Sequence, residues 1–157
     1  MKKTKVNLPT HLILDVDGVM TTGNFIYSSR GKQFKIFGAH DSDGLKIIKK
    51  FIKILFITAD RRGFAISRKR ISEDLGYKLK YVSAESRYNF VKKIGFEKVI
   101  YIGDGYFDKE ILKKCKFGIS PKNARIEAKK NSNFITPSSS GQGAVLDACL
   151  KIKSKFF

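Results

Sequence analysis

The stretch Leu12-Ile-Leu-Asp15-Val-Asp17-Gly18 opens with an apolar run and ends it in two carboxylates and a glycine. A short run that is apolar at nearly every position reads as a strand buried on both faces, which is the habit of a parallel sheet. Ile54-Leu-Phe-Ile57 and Val99-Ile-Tyr-Ile102 repeat the pattern, the first followed by Thr58 and the second by Gly103 and Asp104, with Asp108 one helical turn beyond. In open α/β sheets ligands bind outside the carboxyl ends of the strands, so these polar residues mark where chemistry is to be sought.

Helical patterns lie between the runs. Leu45 to Ile52 form one, Phe64, Ile71 and Leu75 fall on one face of a second that Gly76 ends, and Tyr88, Val91 and Ile94 mark a third that Gly95 ends. Ile111 and Leu112 indicate another short helix, and Val145, Ala148, Cys149 and Ile152 form a last amphipathic stripe. Lys116 to Ile119 and Asn133 to Thr136 read as weaker strands. The alternation predicts an α/β fold, a Rossmann-like three-layer sandwich with a mainly parallel sheet. Residues 24–37 break the rhythm with two β-rich halves around Ser28-Ser-Arg-Gly31, predicting a projecting β-hairpin. Pro137 to Gly143 is expected to be a flexible polar loop.

The length of 157 residues fits one domain, 1–157. No run approaches the ~18 apolar residues of a membrane span. The basic start, Met1 to Pro9, lacks an apolar core and a cleavage site, so a cytoplasmic protein is expected. Cys115 and Cys149 lack metal or redox spacing and are expected as reduced core residues. The formal charge of +18 invites a nucleic-acid partner, but its lysines are scattered singly or in pairs with no basic tail or Arg-rich block. A solvated lysine-rich surface is the reading adopted, with neither nucleic acid nor membrane as partner.

Four carboxylates, Asp15, Asp17, Asp104 and Asp108, should converge with the hydroxyl of Thr58. Such a set repels itself unless a cation neutralises it, and an oxygen-only set favours a hard ion such as Mg²⁺. Taken singly, each has a plainer reading: Asp104 or Asp108 as a turn or helix cap, Thr58 as a capping hydroxyl, Arg87 as one surface cation among many. Asp41 is balanced between an N-cap and a substrate contact, and His11, at the start of the first run, reads as structural.

Asp-x-Asp-Gly after strand one, Thr after strand two, a basic residue before strand three and Gly-Asp-x-x-x-Asp after it together resemble the haloacid dehalogenase superfamily, phosphatase branch. The hairpin, Phe37-Gly-Ala-His-Asp41-Ser-Asp-Gly44 and the closing Gly141-Gln-Gly-Ala-Val145 are similar to the capless 3-deoxy-D-manno-octulosonate 8-phosphate phosphatases and their nonulosonate-phosphate relatives. The resemblance implies that Asp15 attacks phosphorus, that Asp17 protonates the leaving alcohol and then activates water, and that Thr58 and Arg87 bind the phosphoryl oxygens. It further implies Mg²⁺ on Asp15, the Asp17 carbonyl and Asp104, with Asp108 in support. His40, Asp41 and Arg61 become candidate substrate contacts, and a phosphorylated sugar acid bound for lipopolysaccharide or sialic acid synthesis becomes the expected substrate. A homotetramer follows too, with the hairpin as a flap and a neighbour's Ser138–Gly143 loop or Lys151–Phe157 tail at the site.

The chain departs from that family's pattern in placing Arg87 where a lysine is usual, Ala59-Asp60 where Gly-Arg is usual, and Leu146 where an arginine is common. Arg87 keeps the charge but changes its shape and hydrogen-bond geometry, whereas Leu146, with Gln142 before Gly143, removes cations that could recognise a substrate carboxylate. Two further readings therefore stand beside the first: the same chemistry on another small phosphorylated metabolite, and a basic, non-catalytic binding protein on the same scaffold.

Overall fold

The computed structural model describes residues 7–157; the basic start read above lies, through residue 6, outside the described residues. The chain runs β1 (His11–Asp15), β2 (Thr21–Ser28), β3 (Gly31–Phe37), α1 (Asp41–Ile48), β4 (Lys53–Thr58), α2 (Phe64–Arg68), β5 (Lys78–Tyr81), α3 (Arg87–Ile94), β6 (Val99–Ile102), α4 (Lys109–Lys114), β7 (Phe117–Ser120), α5 (Ile126–Lys130), β8 (Phe134–Ile135) and α6 (Ala144–Phe156). A π-helical turn, Lys69–Asp74, continues α2. Six strands form one sheet in the order β5-β4-β1-β6-β7-β8, and every pairing in it is parallel.

Alternation along each strand divides the core into two layers. Leu12, Leu14, Ile100 and Ile102 face α1 and α6, against Leu45, Ile48, Val145 and Ile152. Ile13, Val99 and Tyr101 face the other way, against Val91 of α3, Ile111 and Leu112 of α4 and Ala128 of α5. Burying such a side chain fully stabilises the fold by ~1.5–3 kcal/mol, so the apolar runs are spent on both faces of the sheet and the expected three-layer sandwich results. Cys149 lies in the first layer and Cys115 in the second, both buried and free. No cap is inserted between the strands among the described residues.

The hairpin begins at Thr21, three residues before the expected 24, because Thr21 already pairs with Phe37. Two elements had no counterpart in the sequence reading. The edge strand β5 alternates lysine with Leu79 and Tyr81 and is mostly exposed, so it lacks an apolar run. The helix α5 buries only Ala128.

Pro137 to Gly143 is not the loose loop expected. The Ser138 amide donates to Asp147 Oδ2 (2.8 Å), the Ser140 amide donates to Asn123 Oδ1 (2.9 Å), and Ser140 is fully buried. The segment straps the start of α6 to its own chain. The end of α6 also docks internally, with Phe157 stacked on Phe51 at 5.1 Å between ring centroids.

Asp41 is likewise not the cap of its own helix, whose N-cap is His40. It is fully buried, and its Oδ1 accepts from the Val145 amide (2.9 Å) in the first turn of α6. Those amides have no partner within α6, which is why a carboxylate from α1 is drawn under them. Burial raises the Asp41 carboxyl above its ordinary value, against the pull of the α6 amides.

The two helices lie close together at Gly44, where an added Cβ would lie 2.7 Å from Leu146 Cα and 3.1 Å from Cys149 Cβ. Helix propensity alone favours alanine over glycine by ~1 kcal/mol. Overpacking here is expected to reverse that sign, so Gly44→Ala should destabilise the fold by ~1–3 kcal/mol in urea unfolding. A stabilised variant would show that α1 and α6 are free to move apart.

Candidate active site

The sheet order turns back on itself at β1, with β4 on one side and β6 on the other. The carboxyl ends of these three strands carry Asp15, Thr58 and, just beyond β6, Asp104. Asp15, Asp104 and Asp108 each offer a carboxylate oxygen within 4.8 Å of the others. Gly18 permits this crowding. Its φ of +82° suits glycine, and a Cβ there would sit 2.0 Å from Asp104 Oδ2.

Asp15 is 7% exposed, and both of its oxygens are engaged: Oδ1 by the Val16 amide (2.8 Å) and Oδ2 by Arg87 Nη1 (2.9 Å). The same Nη1 reaches Asp108 Oδ1 at 2.7 Å, and the Tyr101 hydroxyl donates to that oxygen at 2.6 Å. Asp108 Oδ2 takes the amides of Asp104 (3.1 Å) and Gly105 (2.8 Å). With four donors on a fully buried carboxylate, Asp108 braces the loop that presents Asp104. Arg87 Nε, by contrast, is buried without a partner.

Asp17 takes the Thr58 hydroxyl on Oδ2 (3.2 Å) and the Lys35 ammonium 2.7 Å from Oδ1. Thr58 also accepts from the Asp60 amide (3.1 Å), so its hydroxyl supports a turn rather than capping a helix. A cavity of about 310 Å³ opens over these groups, lined by Asp15, Asp17, Phe25, Lys32, Ala59, Asp60 and Arg87. A larger groove of about 510 Å³, behind the hairpin against Ile66 and Arg70, holds none of the motif carboxylates.

The structure therefore brings together Asp15, Asp17, Thr58, Arg87, Asp104 and Asp108. It does not bring in the three candidate substrate contacts. His40 is exposed at the start of α1, Asp41 is buried beneath α6, and Arg61 is exposed with its guanidinium 5.0 Å from the Tyr81 ring centre. What the sequence reading missed is Lys35, Lys32 and Asp60. Lys32 and Lys35 both pair with Asp60 Oδ2, and both side chains are almost wholly buried. The signal was present as lysines spaced three apart on the hairpin and an acid in place of the usual arginine, but charged residues on a hairpin ordinarily face water.

Electrostatics divides the carboxylates. Burial pushes Asp15 up to about 6, against Arg87 and with Asp108 and Asp17 adding to the rise. Burial, then the charges of Asp15 and Asp108, push Asp104 up to about 8. Burial also tends to raise Asp60, but the bonds from Lys32 and Lys35 prevail and hold it at about 2. The negative charge left without compensation thus lies between Asp15 and Asp104, where an oxygen-only ligand set meets the needs of Mg²⁺.

Residues 84–148 match the family model of haloacid dehalogenase-like hydrolases. The 3-deoxy-D-manno-octulosonate 8-phosphate phosphatase of Haemophilus influenzae is 30% identical over 139 residues, covering 85% of this chain and 76% of its own. The chain belongs to the haloacid dehalogenase-like hydrolases. Two solved structures of that hydrolase family overlay it closely. The cobalt-bound Haemophilus influenzae phosphatase has a TM-score of 0.79 at 25% identity, with 96% of this chain and 91% of that one covered. The Moraxella catarrhalis phosphatase, in complex with magnesium, phosphate and KDO, has a TM-score of 0.77 at 28% identity, with 93% and 86% covered. This hydrolase is accordingly a phosphatase, and its cofactor is Mg²⁺, which the Asp15 and Asp104 oxygens fit.

Because folding lifts Asp15 to about 6 and Asp104 to about 8 from an ordinary 3.8, the folded chain holds the extra protons between pH 4 and 8. Without metal these groups make the fold less stable as pH rises through that window. Mg²⁺ needs the carboxylates deprotonated, so its stabilising effect should grow in the same direction. Melting temperatures at pH 5 and pH 8, with and without Mg²⁺, should show the larger metal-induced rise at pH 8. Equal rises would mean that these carboxylates are not the ligands.

Proposed function

We propose that residues 1–157 work as one hydrolase domain that releases phosphate from a phosphorylated keto-acid sugar of the 3-deoxy-octulosonate 8-phosphate or nonulosonate 9-phosphate type. The observation that carries the reading is the placement of Asp15, Asp17 and Arg87 on one cavity with Asp104 beside Asp15. An Asp15 oxygen forms a bond to phosphorus as the ester P–O bond breaks, and Asp17 gives its proton to the departing alcohol oxygen. Asp17 then takes a proton from the water that attacks the aspartyl-phosphate, which frees phosphate and restores Asp15. Arg87, its Nη1 on Asp15 and its Nε unpartnered, takes the phosphoryl oxygens, and Thr58 holds Asp17.

Asp15, Asp104 and the main-chain carbonyl of Asp17 hold Mg²⁺ in this reading, with Asp108 bracing that set. The bound ion supplies positive charge to the transferring phosphoryl group. The planar guanidinium of Arg87 also answers why the usual lysine is dispensable: one nitrogen spans two carboxylates and leaves others for phosphate.

A second substrate class is favoured by a specific observation. Lys32, which lines the cavity, and Lys35 beside it already face carboxylates, and the position of the family's arginine is Leu146. A phosphomonoester without a carboxylate suits that charge balance. Assembly follows from the hairpin, which exposes Ile26, Tyr27, Phe34 and Ile36. So much apolar surface on one hairpin suits packing against copies of itself, and the tetramer is retained as part of the proposal. The work would take place in the cytoplasm.

Phosphate release should be measured on a panel of sugar phosphates, with octulosonate and nonulosonate phosphates included, in Mg²⁺ and in chelator. Turnover is expected for one keto-acid phosphate, lost on metal removal and reduced on the order of 10³-fold or more by Asp15→Asn. Preference for a neutral sugar phosphate would select the second class, and no turnover at all would select the binding-protein reading. Sedimentation should give four chains, and Phe34→Glu with Tyr27→Glu should break the assembly apart.

A further inference from the structure

The hairpin is turned inside out relative to an ordinary surface ribbon. Phe34 is 63% exposed and Tyr27 is 55% exposed, whereas the side chains of Lys35 and Lys32 are 0% and 4% exposed. Charged side chains are rarely buried unless paired, and here each is paired on the catalytic side. The Lys35 ammonium donates to Ser67 Oγ (2.8 Å) and forms ion pairs with Asp17 Oδ1 (2.7 Å) and Asp60 Oδ2 (2.8 Å); Asp17 Oδ1 is buried without a hydrogen-bond partner, so this ion pair is its one polar contact. Room for it comes from Gly63, where a Cβ would stand 2.6 Å from Lys35 Cε and 2.2 Å from Asp60 Oδ2. Lys32 follows it in, its ammonium 3.5 Å from the centre of the Phe25 ring.

We propose that Lys35 is a positioning residue for Asp17, and that its ion pairs to Asp17 and Asp60 latch the hairpin over the cavity within a single chain. The proposal rests on the phosphatase reading above. Asp17 is contacted on both oxygens, Oδ2 by the Thr58 hydroxyl from β4 and Oδ1 by its ion pair with Lys35 from β3, so its carboxyl plane is set by two elements that Asp60 also ties together. A proton donor must stand within hydrogen-bond reach of the leaving oxygen, and misplacement by about 1 Å costs on the order of 100-fold. Asp60 is the counterweight: it holds Lys35 and Lys32 in place when the leaving group is absent.

The test compares a sugar phosphate, whose alcohol needs a proton to leave, with p-nitrophenyl phosphate, whose phenolate does not. Lys35→Met should lose on the order of 100-fold in kcat on the sugar phosphate, with KM little changed, and clearly less on the aryl ester. Lys32→Met loosens Asp60 but leaves the Asp17 contact, so it should lower both esters by one factor. The variant Lys35→Met/Asp60→Asn keeps the buried charges matched and should show the same divergence between esters if the single variant does not fold. Hydrogen exchange over residues 21–37 reads the latch separately and should quicken with the loss of Lys35. Equal losses on the two esters, or an unchanged kcat, would overturn the inference while leaving the phosphatase reading intact. Turnover of neither ester by the wild type would overturn that reading, and this inference with it.

Discussion

Too many negative charges at one end of one sheet is the condition to which the rest of the molecule responds. Asp15, Asp17, Asp60 and Asp104 stand around the same crevice, with Asp108 buried beneath it. Against them the chain sets Arg87, Lys32 and Lys35. Each cation is itself buried, and each bridges two carboxylates or anchors a second that does. Neutralisation is nearly complete around Asp17 and Asp60 and incomplete around Asp15 and Asp104. That gradient separates an acid–base and substrate-facing half of the crevice from a metal-binding half.

Backbone geometry serves the same end. Parallel pairing delivers the ends of β1, β4 and β6 side by side, and the lack of a side chain at Gly18 lets the loop after β1 lie against Asp104. Asp108 turns the chain after β6 by accepting two of its amides, so the ligand-bearing loop is held from below rather than from the solvent side. Even the remote junction of α1 and α6 follows this economy, with Asp41 answering the open amides of a neighbouring helix.

The apolar runs at Leu12, Ile54 and Val99 made the central strands legible, because a strand buried on both faces leaves no other composition. The motif carboxylates were legible for a related reason: they stand where such runs stop. What escaped was whatever depends on a partner distant in the chain. β5 gains its place from β4 and not from its own residues. Asp41, balanced in the sequence between a cap of its own helix and a substrate contact, instead accepts from an amide 104 positions away. Lys35 meets Ser67 32 positions on, and nothing local distinguishes it from a solvated lysine. His40 and Arg61 show the converse, since proximity in sequence to a motif did not carry them to the cavity.

The link between Lys35 and Asp60 has an evolutionary corollary. Lys35 and Asp60 each keep a second partner, Asp17 and Lys32, but losing either one leaves the buried set of two lysines and two acids one charge out of balance. The two positions cannot drift independently, and the Gly-Arg found at residues 59 and 60 in similar phosphatases lies across a barrier that no single replacement crosses cheaply. Lineages that share Asp60 should therefore also share the buried lysine, and their covariation would record the crevice's charge balance in sequence alone.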